Sequence, residues 1–94
     1  MKSEKLVQHL SDAVRKLGFK LRVEEGNFHG GQCIFAEERL VILNRRMPYE
    51  ERAEVLAQAL VAEDLDQVFL LPEVRMFVEK AAKARHLSDA SPRE

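Results

Sequence analysis

The chain has 94 residues, enough for one hydrophobic core, and apolar residues make up 46 % of it. Fifteen Lys and Arg residues against sixteen Asp and Glu residues give a formal net charge of -1, without the basic excess typical of nucleic-acid-binding domains. No apolar run approaches the ~20 residues of a membrane-spanning helix, and the single cysteine is typical of a reducing compartment. We therefore predict a cytoplasmic protein that binds neither nucleic acid nor membrane.

The first segment predicts a surface helix. Apolar residues recur every three or four positions from Leu6 to Leu17, which is the spacing of one helix face. Ser3 is placed to cap the start of this helix, and Gly18 is placed to end it.

Three strands are predicted next. Phe19, Leu21 and Val23 alternate with charged residues, which indicates a strand with one buried face. After a glycine-rich turn, a second strand is expected over residues 32–36 and a third over residues 40–44. The third is apolar on both faces and should be the most enclosed, and the short links favour an antiparallel sheet.

Two further helices are predicted after the strands. Pro48 suits the first turn of a helix that runs to about Glu63, and Pro72 repeats this start signal. Residues 88–94 have no apolar periodicity and are predicted to form a disordered polar tail. We therefore predict a single α+β domain over residues 1–87, with a helix, a three-stranded antiparallel sheet and two helices packed on one face of the sheet.

The segment from His29 to Cys33 carries the most local chemistry, with two glycines between an imidazole and a thiol. A Cys and a His together can act as nucleophile and base, or as two metal ligands. The competing interpretation is a hairpin bulge followed by a core cysteine, because free Cys is among the most often buried side chains. Cys33 and His29 are therefore candidate catalytic residues only under a thiol-based function.

No metal or acid-base centre is recognisable in the sequence. Structural zinc usually takes four Cys or His ligands at paired spacings, whereas Cys33 is accompanied only by the scattered His9, His29 and His86. Four adjacent pairs of carboxylates lie at predicted turns or helix ends, where charges are ordinarily solvated. We predict no metal and no cofactor, and the sequence favours a non-enzymatic protein without deciding against a catalytic thiol.

Two groups of residues are candidate binding sites. Arg45 and Arg46 follow the third strand and can contact an anion through charge-assisted hydrogen bonds, although such arginines more often form a solvated rim. Phe69, Leu70 and Leu71 form an apolar connector between the last two helices. They either close the bottom of the core or form a protein interface, because exposed apolar patches usually mark contact surfaces.

Several stretches resemble a family of small, uncharacterised bacterial proteins. They are residues 30–33, 40–44, 46–52 and 71–75, within a resemblance that extends over residues 6–81. The resemblance implies a bacterial origin and brings no activity with it.

A second resemblance is to zinc-dependent metallopeptidases that carry a His-Glu-x-x-His helix. A strand ending in Asn44 and a short link precede a helix in the same layout. Aligned with that motif, Gln58, Ala59 and Ala62 occupy the positions of the first ligand, the general base and the second ligand. Alanine offers zinc no lone pair and water no base, so the resemblance implies a scaffold without this chemistry.

These patterns favour a non-enzymatic cytoplasmic interaction or regulatory domain, either a homodimer or bound to a different protein. A thiol-based function, redox-sensing or catalytic and centred on Cys33 with His29, is the alternative.

Overall fold

The chain forms three α-helices and three β-strands within residues 1–26, 31–35 and 38–90, which are the residues that the computed structural model describes. Side chains are described in these ranges except at residues 31–35 and 85–90. In chain order the elements are α1 (Ser3–Lys16), β1 (Lys20–Glu24), β2 (Gly31–Phe35), β3 (Glu38–Asn44), α2 (Tyr49–Val61) and α3 (Pro72–Ala90), with a 3-10 turn at Leu65–Gln67 before α3. The predicted α+β class is therefore confirmed.

The sheet has the strand order β1-β3-β2. β1 runs parallel to β3, with Lys20 opposite Leu40, and β2 runs antiparallel to β3, with Cys33 opposite Leu40. The predicted all-antiparallel sheet is therefore wrong for β1 and β3. Consecutive strands do reverse direction, so β1 and β3 point the same way, and they become parallel neighbours because β3 rather than β2 lies beside β1.

The central strand β3 pairs with both other strands and is more buried than the edge strand β1. Val41 and Leu43 are 0 % and 2 % exposed and belong to the hydrophobic core, whereas Leu40 and Ile42, which alternate with them, are half-buried. Successive residues of a strand point to opposite faces of the sheet. The core therefore lies on the face of β3 that carries Val41 and Leu43.

The edge strand β1 is less buried than its alternating pattern predicts. Phe19, just before β1, is buried and Leu21 is half-buried, but Val23 is 42 % exposed. The expectation that all three share a buried face is wrong for Val23, which lies near the end of a strand with only one neighbour in the sheet.

The three helices supply most of the core. The apolar face predicted for α1 is confirmed, and the faces of α2 and α3 meet it. Among the described side chains, the helices contribute to this core Val7, Leu10, Ala13, Val14, Ala53, Leu56, Ala57, Ala59, Leu60, Val74 and Val78.

The predicted residue at the C-terminal end of α1 is confirmed, and the predicted N-cap residue is not. Gly18 follows the helix with φ 95°, a left-handed conformation that glycine adopts without steric cost. The N-cap residue is Lys2, which makes no side-chain capping bond, so the prediction of Ser3 as the cap is wrong. Ser3 is instead the first helical residue, and its Oγ donates to Glu50 Oε2 at 3.2 Å.

Pro48 is the N-cap residue of α2, one position before the first turn in which it was predicted, and Pro72 is the first residue of α3 as predicted. Between these two helices, the carboxylate of Asp64 caps the 3-10 turn by accepting a hydrogen bond from the Asp66 amide. α3 extends through Ala90, so the domain boundary that the sequence suggested after residue 87 falls inside this helix. Residues 91–94 lie outside the described residues.

Truncating Leu56 tests the packing of α2. Leu56 is fully buried in the core, and we expect Leu56→Ala to lower the free energy of unfolding by about 2–5 kcal/mol, because the change leaves a cavity. Urea denaturation followed by circular dichroism measures this loss. The exposed Glu54→Ala serves as the control on the same helix, and equal small effects of both changes would contradict the burial of Leu56.

Candidate functional site

The connector between α2 and α3 contains a markedly exposed aromatic side chain. Phe69 is 81 % exposed, whereas Val68, Leu70 and Leu71 are half-buried and pack against the hydrophobic core. The connector was interpreted either as closing the core or as forming a protein interface, and each interpretation fits different residues. Leu70 and Leu71 close the core, and Phe69 remains open to solvent.

A second exposed apolar side chain lies on the first half of α3. Met76 is 66 % exposed, while the adjacent Phe77 is half-buried against the core. By chain geometry alone, the Cα atoms of Phe69 and Met76 lie within about 17 Å of each other, since two linker residues and four helical residues separate them. We call Phe69 and Met76 together the connector surface.

Hydrogen bonds hold the chain on both sides of Phe69. Before it, Asp64 Oδ1 accepts from the Asp66 amide at 3.0 Å, and the Val68 amide donates to Leu65 O at 3.3 Å. After it, the Arg75 amide donates to Leu71 O at 2.9 Å. The Phe69 side chain is therefore exposed although hydrogen bonds order the backbone on both sides of it.

Arg75 ties α3 back to the 3-10 turn. Its guanidinium lies 3.4 Å from Asp66 Oδ1 and 3.5 Å from Glu79 Oε2. Both contacts are at the surface, where an ion pair contributes about 0–1 kcal/mol. They orient the start of α3 relative to the segment that carries Phe69.

Asn44 organises the carboxyl ends of the parallel strands. This side chain is 6 % exposed; its Nδ2 donates to Gly26 O at 2.9 Å, and its Oδ1 accepts from the Arg46 amide at 3.1 Å. The Arg45 amide donates to Glu24 O at 2.8 Å. The turn after β3 is thereby fastened to the end of β1.

Arg52 supports the same turn from α2. Its Nη2 donates to Arg45 O at 2.6 Å and its Nε to Met47 O at 3.1 Å, while its guanidinium lies 5.1 Å from the centre of the Tyr49 ring. The role of Arg52 could not be predicted from the sequence, because hydrogen bonds from a side chain to backbone carbonyls leave no periodic pattern in the sequence.

The structure places Arg45 and Arg46 in this turn, both exposed. Arg46 Nη2 lies 3.4 Å from Glu25 Oε2, and the Arg45 guanidinium has no hydrogen-bonding or ionic partner among the side chains that the structure describes. Glu50 and Glu51 occupy the first turn of α2 immediately afterwards. One carboxylate therefore contacts Arg46 and two others follow in sequence at the start of α2, and anion binding by Arg45 and Arg46 stays a prediction.

The structure does not test the pairing of Cys33 with His29. Cys33 lies in β2, where its backbone pairs with Leu40 of β3. The Cys33 side chain and the whole of His29 lie outside the described residues, so the thiol-based alternative stays a prediction. In the part of the chain that is described, no group of three or more His, Cys, Asp or Glu residues could hold a metal ion.

The residues aligned with the metallopeptidase motif contribute to helix contacts, to the core and to the end of α2. Gln58 Nε2 donates to Ala81 O at 3.3 Å and so joins α2 to α3. Ala59 is buried in the core, and Ala62 is the C-cap residue of α2.

A partly buried ion pair joins β3 to the end of α2. Arg39 Nη2 lies 2.6 Å from Glu63 Oε1, and the Arg39 guanidinium stacks 4.1 Å from the centre of the Phe19 ring. Arg39 and Glu63 are far apart in sequence, so no local pattern indicates this pair. Its role here is to fasten the end of α2 to the sheet, next to the connector.

No protein-family model, curated protein or solved structure matches the chain. Among the described residues, no helix combines the length and apolar character needed to cross a membrane.

Removing the Asn44 side chain tests the turn after β3. We expect Asn44→Ala to lower the free energy of unfolding by about 1–3 kcal/mol, because Gly26 O and the Arg46 amide lose the side chain to which they are hydrogen-bonded. Chemical denaturation measures the change. Arg46→Ala, which removes an exposed side chain from the same turn, is the control and should change stability by less than about 0.5 kcal/mol. An Asn44→Ala protein as stable as the control would contradict the assignment.

Proposed function

We propose that this chain is a non-enzymatic, cytoplasmic protein-interaction domain that binds another protein chain through the connector surface. The observation that carries the proposal is the 81 % exposure of Phe69 between residues that pack into the core. Aromatic residues and Met are enriched in protein interfaces, and Phe69 and Met76 supply one of each. A formal net charge of -1 also suits a protein partner better than a nucleic acid.

The local backbone supports the same proposal. An interface residue pays less conformational entropy when its backbone is already ordered before binding. The segment around Phe69 is held by the capped 3-10 turn on one side and by the start of α3 on the other. Phe69 therefore resembles an anchor residue that needs little rearrangement to enter a pocket on a partner.

A photocrosslinking amino acid tests whether position 69 meets a partner. We expect benzoylphenylalanine in place of Phe69 to give a light-dependent adduct of defined mass in the cells that naturally express the protein. The same amino acid in place of Tyr49, another exposed aromatic residue, is the control. An excess of unlabelled wild-type protein should suppress the adduct, and an excess of Phe69→Glu protein should not.

Absence of an adduct at position 69, or equal adducts at positions 69 and 49, would overturn the proposal. The Phe69→Glu competitor must retain the circular dichroism spectrum of the wild type, and we expect it to do so because Phe69 is exposed.

A further inference from the structure

The segment that carries the connector surface is acidic. Residues 64–79 contain four carboxylates and one basic side chain, whereas the whole chain has sixteen acidic residues and fifteen Lys and Arg residues. Two of the carboxylates, on Asp66 and Glu73, are three and four residues away from Phe69, so their Cα atoms lie within about 15 Å of the Phe69 Cα. We call the four acidic residues, all of which are exposed, the acidic border. They are Asp64, Asp66, Glu73 and Glu79.

Cations compensate the charge of the acidic border only in part. The Arg75 guanidinium lies 3.4 Å from Asp66 Oδ1 and 3.5 Å from Glu79 Oε2, so one positive charge serves two carboxylates. The amino-terminal nitrogen contacts Glu73 Oε2 at 3.0 Å. Asp64 accepts a hydrogen bond from the Asp66 amide and has no ionic partner among the described side chains. The acidic border therefore retains an excess of negative charge.

Met76 lies within the acidic border. It is 66 % exposed, and Glu73 and Glu79 are three residues before and three residues after it on α3, which makes them its neighbours on the helix surface. The basic part of α3 begins at Lys80, one turn after Met76. A protein that covers both Phe69 and Met76 therefore meets two apolar side chains surrounded mainly by carboxylates.

This combination of side chains limits the kind of partner that fits. Carboxylates repel phosphate groups and other carboxylates, so the surface disfavours nucleic acids, anionic lipids and acidic peptides. Lys and Arg side chains suit it, because their aliphatic stems can cover Phe69 and Met76 while their charged ends reach the acidic border. Complementary charges across an interface speed association and suppress wrong partners.

We infer that the protein which covers the connector surface presents a basic, apolar segment to it. An apolar side chain of this segment contacts Phe69 and Met76, and Lys or Arg side chains on either side of it contact the acidic border. The inference rests on the proposed function and names the chemistry of its partner.

Two synthetic peptides that differ only in charge test this inference. One is an amphipathic helical peptide of about 20 residues made of Leu, Ala and Lys, and the other has Glu in place of every Lys. In fluorescence anisotropy titrations, we expect the dissociation constant of the Lys peptide to be at least about tenfold lower than that of the Glu peptide. Phe69→Ala should raise the dissociation constant of the Lys peptide about threefold or more, because the apolar contact is lost.

Neutralising variants locate the binding site of the Lys peptide. We expect Asp66→Asn combined with Glu73→Gln to raise its dissociation constant about fivefold or more. The matched control is Glu25→Gln combined with Glu51→Gln. Glu25 lies 3.4 Å from an arginine, as Asp66 does, and Glu51 is in the first turn of a helix, as Glu73 is. Both control residues lie near the start of α2, whereas the connector follows its end, so the control should stay within about twofold of the wild type.

The outcomes separate this inference from the proposed function. Equal binding of the two peptides, or equal weakening by the two double variants, overturns the inference, provided that the circular dichroism spectra of the variants match the wild type. If either result is found while position 69 still forms a competable adduct with another protein, the inference fails and the proposed function stands. If position 69 forms no competable adduct, both fail.

Discussion

The central position of β3 is the constraint on which the rest of the structure depends. β3 pairs with both other strands, and its buried Val41 and Leu43 meet the helices in the core. At its end, Asn44 and the neighbouring backbone fasten the chain to the end of β1. α2 therefore starts from a fixed point next to the sheet, and its apolar face lies against the core.

The exposed connector surface is a consequence of this arrangement. α2 and α3 both bury apolar side chains in one core, so the short segment between them must follow the edge of that core. Val68 has an extended backbone, and successive side chains of an extended chain point in opposite directions. Such a segment cannot turn every apolar residue inward. Val68 and Leu70, on either side of Phe69 in the sequence, pack against the core, and Phe69 between them is left outside.

Elements whose pattern is local could be predicted from the sequence, whereas contacts between residues distant in the sequence could not. The helical spacing of α1 and the apolar run of β3 reflect burial directly, so both elements could be predicted. The pairing of β1 with β3 and the ion pair between Arg39 and Glu63 depend on which distant segments become neighbours. For the candidate site, composition identified the connector but could not separate Phe69 from its apolar neighbours, because only packing distinguishes them.

The most direct test of the account is the free energy of unfolding of Phe69→Ala, measured by urea denaturation at a concentration where the wild type is monomeric. If Phe69 contacts a partner protein and does not stabilise the fold, the free energy of unfolding of this variant should be within about 0.5 kcal/mol of the wild-type value. Leu70→Ala, one position along the same connector, should be less stable by at least about 1 kcal/mol, because Leu70 packs against the core. A loss for Phe69→Ala as large as that for Leu70→Ala would show that Phe69 belongs to the core and would contradict the account.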